Sequence, residues 1–129
     1  MKTADMTGAA LDWAVSKCEE ATVEIGKRGQ VIFDTYQDDP PAGVNEYNDS
    51  RWQTYSPSTN WEQGGPIIER EKIEPRHVGN TFGWRAFLKF NNDPVICYSG
   101  PTFLVAAMRC YVASRLGDDV EIPAELVPS

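Results

Sequence analysis

A set of side chains spread along this chain could together hold a small molecule that is planar and negatively charged. Indole and phenol rings can stack on a flat ring, and such stacking contributes on the order of 1–3 kcal/mol per base. Guanidinium groups can grip phosphate or carboxylate through paired N–H donors, and adjacent glycines permit close backbone approach and offer further donors. The candidate ligand-binding residues are Trp52, Tyr55, Trp61, Gln63, Gly64, Gly65, Arg70, Trp84, Arg85 and Arg109.

The segment from Tyr55 to Glu71 holds most of these candidates, together with helix-capping residues and a Gly-Gly-Pro turn. An ordered connection of this composition is typical of the surface on which a rigid scaffold carries a binding site. Taken singly, each side chain has a plainer structural explanation. The aromatic rings can cover the sheet, and Arg109 can be the polar edge of an otherwise buried helix.

Catalytic chemistry has little support in the sequence. The single histidine, His77, lies in Pro-Arg-His-Val-Gly and is expected to be a solvent-facing loop residue. There is no Cys-x-x-Cys pair, Walker loop or dinucleotide-binding glycine pattern, so we expect no catalytic residues, no metal and no cofactor. A hydrolase that assembles acidic groups from distant segments stays open as an alternative. Its candidate acids are Glu62, Glu69, Glu71, Asp118 and Asp119.

Composition limits the classes of partner. With 129 residues, 41% of them hydrophobic and 24% charged, the chain has the size and character of one globular domain, 1–129. The absence of an apolar run near ~18 residues predicts no membrane span, and Met1–Thr7 lacks the apolar core of a signal peptide. Cys18, Cys97 and Cys110 show no paired spacing, so we expect free thiols in a reduced cytoplasm.

The net charge of −7 opposes binding to duplex nucleic acid, whose partners must neutralise phosphates. Lys27 and Arg28 form a local basic pair between Gly26 and Gly29. A Gly-x-x-Gly turn with two cations could grip phosphate, but a plain hairpin turn explains the pattern better. A small anionic ligand stays compatible with the charge, because short-range arginine contacts can override it.

The hydrophobic periodicity predicts a mixture of helices and short strands. A helix is expected from Thr7 to Glu20, followed by a hairpin with strands 22–25 and 30–36. The composition of residues 37–60 predicts a long ordered loop that folds back over the core and is partly mobile near 38–49. Ser58-Thr-Asn60 should cap a short helical turn at Trp61–Gln63 that Gly64 and Gly65 end.

Further strands and a helix follow. Glu74-Pro75 should break the chain before a strand at Trp84–Phe90, whose alternate residues form one face, and a second strand is expected at Val95–Tyr98. The last helix should start near Thr102, keep one apolar face and end at Gly117. This order indicates an α+β fold: a single-domain sandwich of a small, mainly antiparallel sheet with N-terminal and C-terminal helices.

Three long blocks carry a resemblance to a known family. They run from Met6 to Val15, from Tyr55 to Glu71 and from Gly100 to Gly117. Together they resemble the NinX-like small proteins of tailed bacteriophages and prophages, and only the middle, about 31–49, looks individual. The resemblance implies a phage accessory protein that acts in the cytoplasm of the host bacterium. It brings no catalytic residues to carry over.

These observations lead to one functional hypothesis and one alternative. The hypothesis is a non-enzymatic phage protein that binds a small nucleotide-like ligand, sequestering a host immune signalling molecule. The alternative is an inhibitor or adaptor that binds a host protein through an acidic and aromatic surface. Homo-oligomerisation stays open, since small ligand-sequestering proteins often build pockets between subunits. The acidic surface would consist of Asp38, Asp39, Glu46, Asp49, Asp118, Asp119 and Glu121.

Overall fold

The computed structural model describes residues 1–35, 42–43, 51–77, 83–90 and 93–127. Its helices are α1 (Gly8–Cys18), α2 (Trp61–Glu71) and α3 (Phe103–Leu116). Its strands are β1 (Glu24–Ile25), β2 (Val31–Asp34), β3 (Trp52–Thr54), β4 (Glu74–His77), β5 (Trp84–Phe90) and β6 (Asp93–Gly100). Short 3-10 turns lie at Thr3–Asp5 and Ala124–Leu126. The predicted α+β class is confirmed.

Helix α3 is the centre of the molecule. The Thr102 side chain accepts a hydrogen bond from the Val105 N–H at 3.1 Å and so caps its first turn, and Gly117 ends it with φ of 91°. The predicted single apolar face is wrong, because every residue from Leu104 to Val112 is buried. The helix is enclosed on several sides by β4, β5, β6, α1 and α2, so its sequence is apolar around much of its circumference.

The larger sheet, ordered β4-β5-β6, is antiparallel throughout and supports α3 on one face. Ala86 and Leu88 of β5 are buried against the helix, as the predicted alternation requires. The predicted break at Glu74-Pro75 is wrong, since β4 begins at Glu74 and Pro75 pairs with Ala86. Proline is tolerated there because β4 is an edge strand, where an N–H can be missing from the outer side.

The smaller sheet, ordered β1-β2-β3, contains the predicted hairpin. Its third strand lies inside the segment predicted to be a long loop. Trp52–Thr54 pairs with β2 in antiparallel register, and a strand of this length carries too little alternation to be recognised without its partner. The predicted mobile stretch near 38–49 falls almost entirely outside the described residues.

Helix α2 differs most from its prediction. Gly64 and Gly65 were expected to end a short turn, but the helix continues through Pro66 to Glu71, and Lys72 ends it with φ of 57°. Gly64 serves a close contact instead of a turn. A Cβ built there would lie 2.6 Å from Leu104 Cδ1 and closer still to the Pro57 carbonyl oxygen. The glycine therefore lets α2 approach the start of α3 and the preceding loop.

Candidate functional site

A row of aromatic side chains crosses the surface at the N-terminal end of α3. The ring centroids of Trp61 and Phe103 are 6.1 Å apart, and those of Phe103 and Trp84 are also 6.1 Å apart. His77 extends the row, with its ring 4.8 Å from Trp84. We call these four residues the aromatic row. Its outermost member, Trp61, is 58% exposed, so the row presents a wide apolar surface to solvent.

A cavity of about 390 Å³ lies beside the aromatic row, and we call it the N-terminal cavity. Trp61 and Phe103 form part of its wall, and most of the remaining wall is apolar. Thr7, Gly8 and Thr102 also line it. Because these residues are where α1 and α3 begin, the cavity lies between the first turns of two helices.

The two helix ends give the N-terminal cavity a favourable potential for negative charge. A helix N-terminus carries a partial positive charge, and its first N–H groups lack partners within the helix. In α3 the Thr102 side chain satisfies one of them. In α1 the capping residue, Thr7, makes no such side-chain hydrogen bond. The first amides of α1 therefore have no side-chain cap and can serve a bound ligand.

A buried polar pair connects α1 to the loop before α2. The Ser58 N–H donates to Asp12 Oδ1 at 2.9 Å, and both residues are buried. Burial raises the pKa of Asp12 to about 6, and interactions with Ser58 offset only part of that rise. The Ser58 hydroxyl lies beside the same carboxylate without the geometry of a hydrogen bond to any residue in the described ranges. Ser58 also lines the N-terminal cavity.

Tyr55 and Gln63 occupy a different cleft, of about 320 Å³, between the smaller sheet and α2. Tyr55 packs edge-on against Phe33, with centroids 6.2 Å apart, and burial raises the pKa of its phenol. The Gln63 amide accepts from the Ser56 N–H at 2.5 Å and donates to the Thr54 carbonyl at 3.1 Å. Its polar atoms already hold this loop in place.

Arg70 lies at the opposite end of α3 from the aromatic row. Its guanidinium donates to both Glu19 oxygens, at 3.1 and 2.6 Å, and to Glu71 at 2.8 Å. Tyr111 donates to Glu19 through a short hydrogen bond, and Arg115 donates to Glu71 at 2.9 Å. We call these five residues the C-terminal network. Hydrogen bonds from Arg70 are the main cause that lowers the pKa of Glu19.

The remaining predicted residues are dispersed. Arg109 is buried, and its guanidinium donates to the carbonyls of Met6 and Ser99 at 2.9 and 2.6 Å. Arg85 is exposed on β5, and Trp52 lies in the smaller sheet. Arg109 is thus a polar residue within a buried helix, which agrees with the plainer of the two explanations that the sequence allowed.

The structure brings together Trp61 and Trp84 of the predicted set, with Gly64 packed behind them against Leu104. Gly65 contacts only the Trp61 ring, at 3.7 Å from a Cβ built there. Sequence reasoning missed Phe103, which joins the two indoles, and the role of His77 at the end of β4. The sequence signal for Phe103 is its position directly after the capping residue Thr102. That position makes Phe103 the first residue of α3, beside the N-terminal cavity.

The described residues contain no cluster of three or more histidine, cysteine or acidic side chains that could hold a metal ion. Cys18, Cys97 and Cys110 are free thiols, as predicted. Burial raises the pKa of Cys110 to about 12, which keeps it protonated and unreactive. Across the same ranges of the chain, every helix is too short or too polar to span a bilayer.

Comparison with known proteins gives one family. No curated protein is similar enough to this chain to be matched. The sequence model of the family described as Bacteriophage P22, NinX matches residues 2–115, a span that includes α1, α2, both sheets and all of α3 except its last residue. The predicted resemblance is confirmed, and the chain belongs to the NinX family of phage accessory proteins.

Proposed function

We propose that this protein binds a small nucleotide-like ligand, without chemical turnover, at the N-terminal cavity. The observation that carries the proposal is the position of the aromatic row at a cavity between two helix N-termini. A phage accessory protein with such a site could sequester a host immune signalling molecule. Sequestration needs only tight and rapid capture, so a site without a nucleophile or a general base is sufficient for it.

The wall of the cavity indicates how each part of such a ligand would bind. A base would stack on Trp61, whose ring forms part of this wall, and such a contact tolerates any planar heterocycle. A negatively charged group would accept hydrogen bonds from the first amides of α1. Among the described residues, no lysine or arginine lines this cavity. We therefore expect an affinity that depends strongly on the aromatic rings and only weakly on ionic strength.

Native mass spectrometry of the purified protein, mixed with small-molecule extract from cells with an activated defence response, tests this proposal. We expect an added mass from a bound ligand that heating releases unaltered. Trp61→Ala should weaken the affinity for this ligand by about tenfold. Leu116→Ala is the matched control, because Leu116 is an exposed apolar residue at the other end of α3. A converted product would identify an enzyme instead, and equal loss in both variants would remove the cavity from consideration.

The exposure of Trp61 also favours the second candidate function, a contact with a host protein, since exposed tryptophan is frequent among interface hot spots. Of the acidic residues in that hypothesis, Asp118, Asp119 and Glu121 are exposed, which is compatible with such a contact. Asp119 pairs there with the N-terminal amine at 3.2 Å. Retention of one defined host protein that Trp61→Ala releases, with no small-molecule adduct, would favour this function over the first.

A further inference from the structure

A further groove, which none of the residues of the aromatic row lines, has a different chemistry. It has a volume of about 440 Å³ and lies between the turn that joins β1 to β2 and strand β3. Lys27 and Arg28 line it from the turn, Trp52 and Gln53 line it from β3, and Gln30 lies between them. We call it the turn groove. Its wall is more polar than that of the N-terminal cavity.

The two cations of the turn groove are exposed and have no ion pair with any described residue. No carboxylate from the described ranges lines the groove. The contrast with Arg51 is direct, because that neighbouring guanidinium is held by Asp34 at 2.6 Å. In a chain of net charge −7, two adjacent cations without acidic partners form a local site of opposite potential.

Hydrogen bonds within the turn hold the segment that carries these cations. The Gly26 N–H donates to the Gln30 carbonyl at 2.7 Å, and the Gly29 N–H donates to the Gly26 carbonyl at 3.0 Å. The Arg28 N–H donates to the Gln30 side chain at 3.0 Å. That side chain covers Gly26 so closely that a Cβ there would lie 2.6 Å from it. Gly29 has φ of 78°, which favours glycine.

We propose that the turn groove binds the phosphate monoester group of a small ligand that carries a planar ring. The two positive charges of Lys27 and Arg28 match one dianionic phosphate. The Arg28 guanidinium can donate paired N–H groups to it, and the Lys27 ammonium can donate from a single compact charge. Trp52 gives the attached ring a surface on which to stack. A polyanion is disfavoured, because two cations neutralise one phosphate while the rest of the molecule repels the others. This site is distinct from the proposed nucleotide site.

The test is an amide-resolved NMR titration of the full chain with inorganic phosphate, adenosine 5′-monophosphate, adenosine and a short oligothymidylate. We expect saturable shifts of the Gly26 and Gly29 amides with phosphate, and tighter binding of the monophosphate. Adenosine should bind at the turn at least about tenfold more weakly than its monophosphate. An oligothymidylate that binds more tightly than the monophosphate, or adenosine that binds equally well, would overturn the proposal.

Two double variants distinguish a specific phosphate site from a general effect of positive charge. Lys27→Ala with Arg28→Ala should weaken phosphate binding by at least about tenfold. Lys17→Ala with Arg76→Ala removes the same charge from exposed positions outside the groove and should leave the affinity within about twofold. Equal weakening in both would sink the proposal, as would an unshifted turn in the unmodified protein. Trp52→Leu should weaken binding of the monophosphate and leave that of phosphate unchanged.

The same spectra keep the two proposals apart. Ligand at the N-terminal cavity shifts the Trp61 indole and the amides of Gly8 and Phe103, whereas ligand at the turn groove shifts Gly26 and Gly29. Binding at the turn should also fall steeply with added salt, because it rests on exposed charges. Trp61→Ala should leave the turn shifts intact, so either site can fail without the other.

Discussion

The two ends of α3 differ in whether their side chains are already engaged with one another. At the C-terminal end, Arg70 and Arg115 are held by Glu19 and Glu71, and Tyr111 adds its hydroxyl to Glu19. At the N-terminal end, Trp61 and Phe103 line a mostly apolar cavity between the first turns of α1 and α3. Charged groups are therefore occupied by each other where the helix ends, and aromatic surface stays accessible where it begins.

This contrast shows why candidate binding residues cannot be ranked by residue type alone. An arginine attracts an anionic ligand only when its donors are not already taken, and those of Arg70 and Arg109 are taken by protein oxygens. An indole stacks on a ligand only when one face is uncovered, as with Trp61 at 58% exposure. Prior engagement within the protein therefore separates the two ends of the helix, since Arg70 is itself 51% exposed and yet fully engaged by carboxylates.

The largest expected effect is at the close contact that builds the N-terminal end. Gly64→Ala should lower the free energy of unfolding by about 3 kcal/mol, because its Cβ would meet Leu104 Cδ1 at 2.6 Å and press on the Pro57 backbone. The sign is informative, since glycine to alanine inside a helix ordinarily stabilises by about 1 kcal/mol. Urea unfolding followed by circular dichroism measures it.

Gly65→Ala is the matched control for Gly64→Ala. Both glycines lie in the interior of α2, but a Cβ at Gly65 meets only Trp61 Cε3, at an ordinary 3.7 Å. We expect stabilisation of about 0.5–1 kcal/mol. Similar effects of the two substitutions, in either direction, would contradict the assignment of Gly64 to a close contact.

These glycines also show where sequence reasoning succeeds and where it ends. Local signals located α3 well, because Thr102 caps it through its own side chain and Gly117 ends it through its own φ. The same logic failed at Gly64, where the glycine is needed by Leu104, far along the chain. Such a tertiary contact has no signature in the neighbouring sequence, so the local Gly-Gly-Pro pattern alone predicts a turn.

The candidate site, too, was only partly predictable from the sequence. Trp61 and Trp84 could be chosen from sequence as aromatic rings able to stack on a planar group. Their neighbourhood could not, because Phe103 joins them only after α2 and β5 have packed around the start of α3. Strand β3 was missed for a related reason, since its partner β2 supplies the hydrogen bonds that define it.

A second prediction concerns the buried carboxylate behind the N-terminal cavity. The pKa of Asp12 is raised from 3.8 to about 6, so between these values the folded protein binds more protons than the unfolded chain. Stability should therefore rise as the pH falls from 7 towards 4.5, by on the order of 2 kcal/mol. Asp12→Asn, which keeps an acceptor for the Ser58 N–H, should abolish this rise.

Unfolding free energies of the unmodified protein and Asp12→Asn, measured across that pH range, give the result as a difference. Effects of other acids, including Glu19, cancel because both proteins share them. Asp119→Asn is the control, since Asp119 is exposed and its pKa is lowered by the N-terminal amine. A constant difference between the unmodified protein and Asp12→Asn would show that burial does not perturb Asp12.

The smallest expected effect is at the C-terminal network, which is partly exposed and shares its charges. Tyr111→Phe removes one donor from Glu19 while Arg70 remains, so we expect a loss of about 1 kcal/mol at pH 7. The pKa of Glu19 is lowered in the fold, so this contribution exists above its unfolded value and fades as acid protonates the carboxylate. Ser114→Ala removes a hydroxyl that donates to the Tyr111 carbonyl of the same helix and should change stability by less than about 0.5 kcal/mol. A penalty for Tyr111→Phe that persists undiminished at pH 3 would place its origin in packing, and the two ends of α3 would then differ less than their charges indicate.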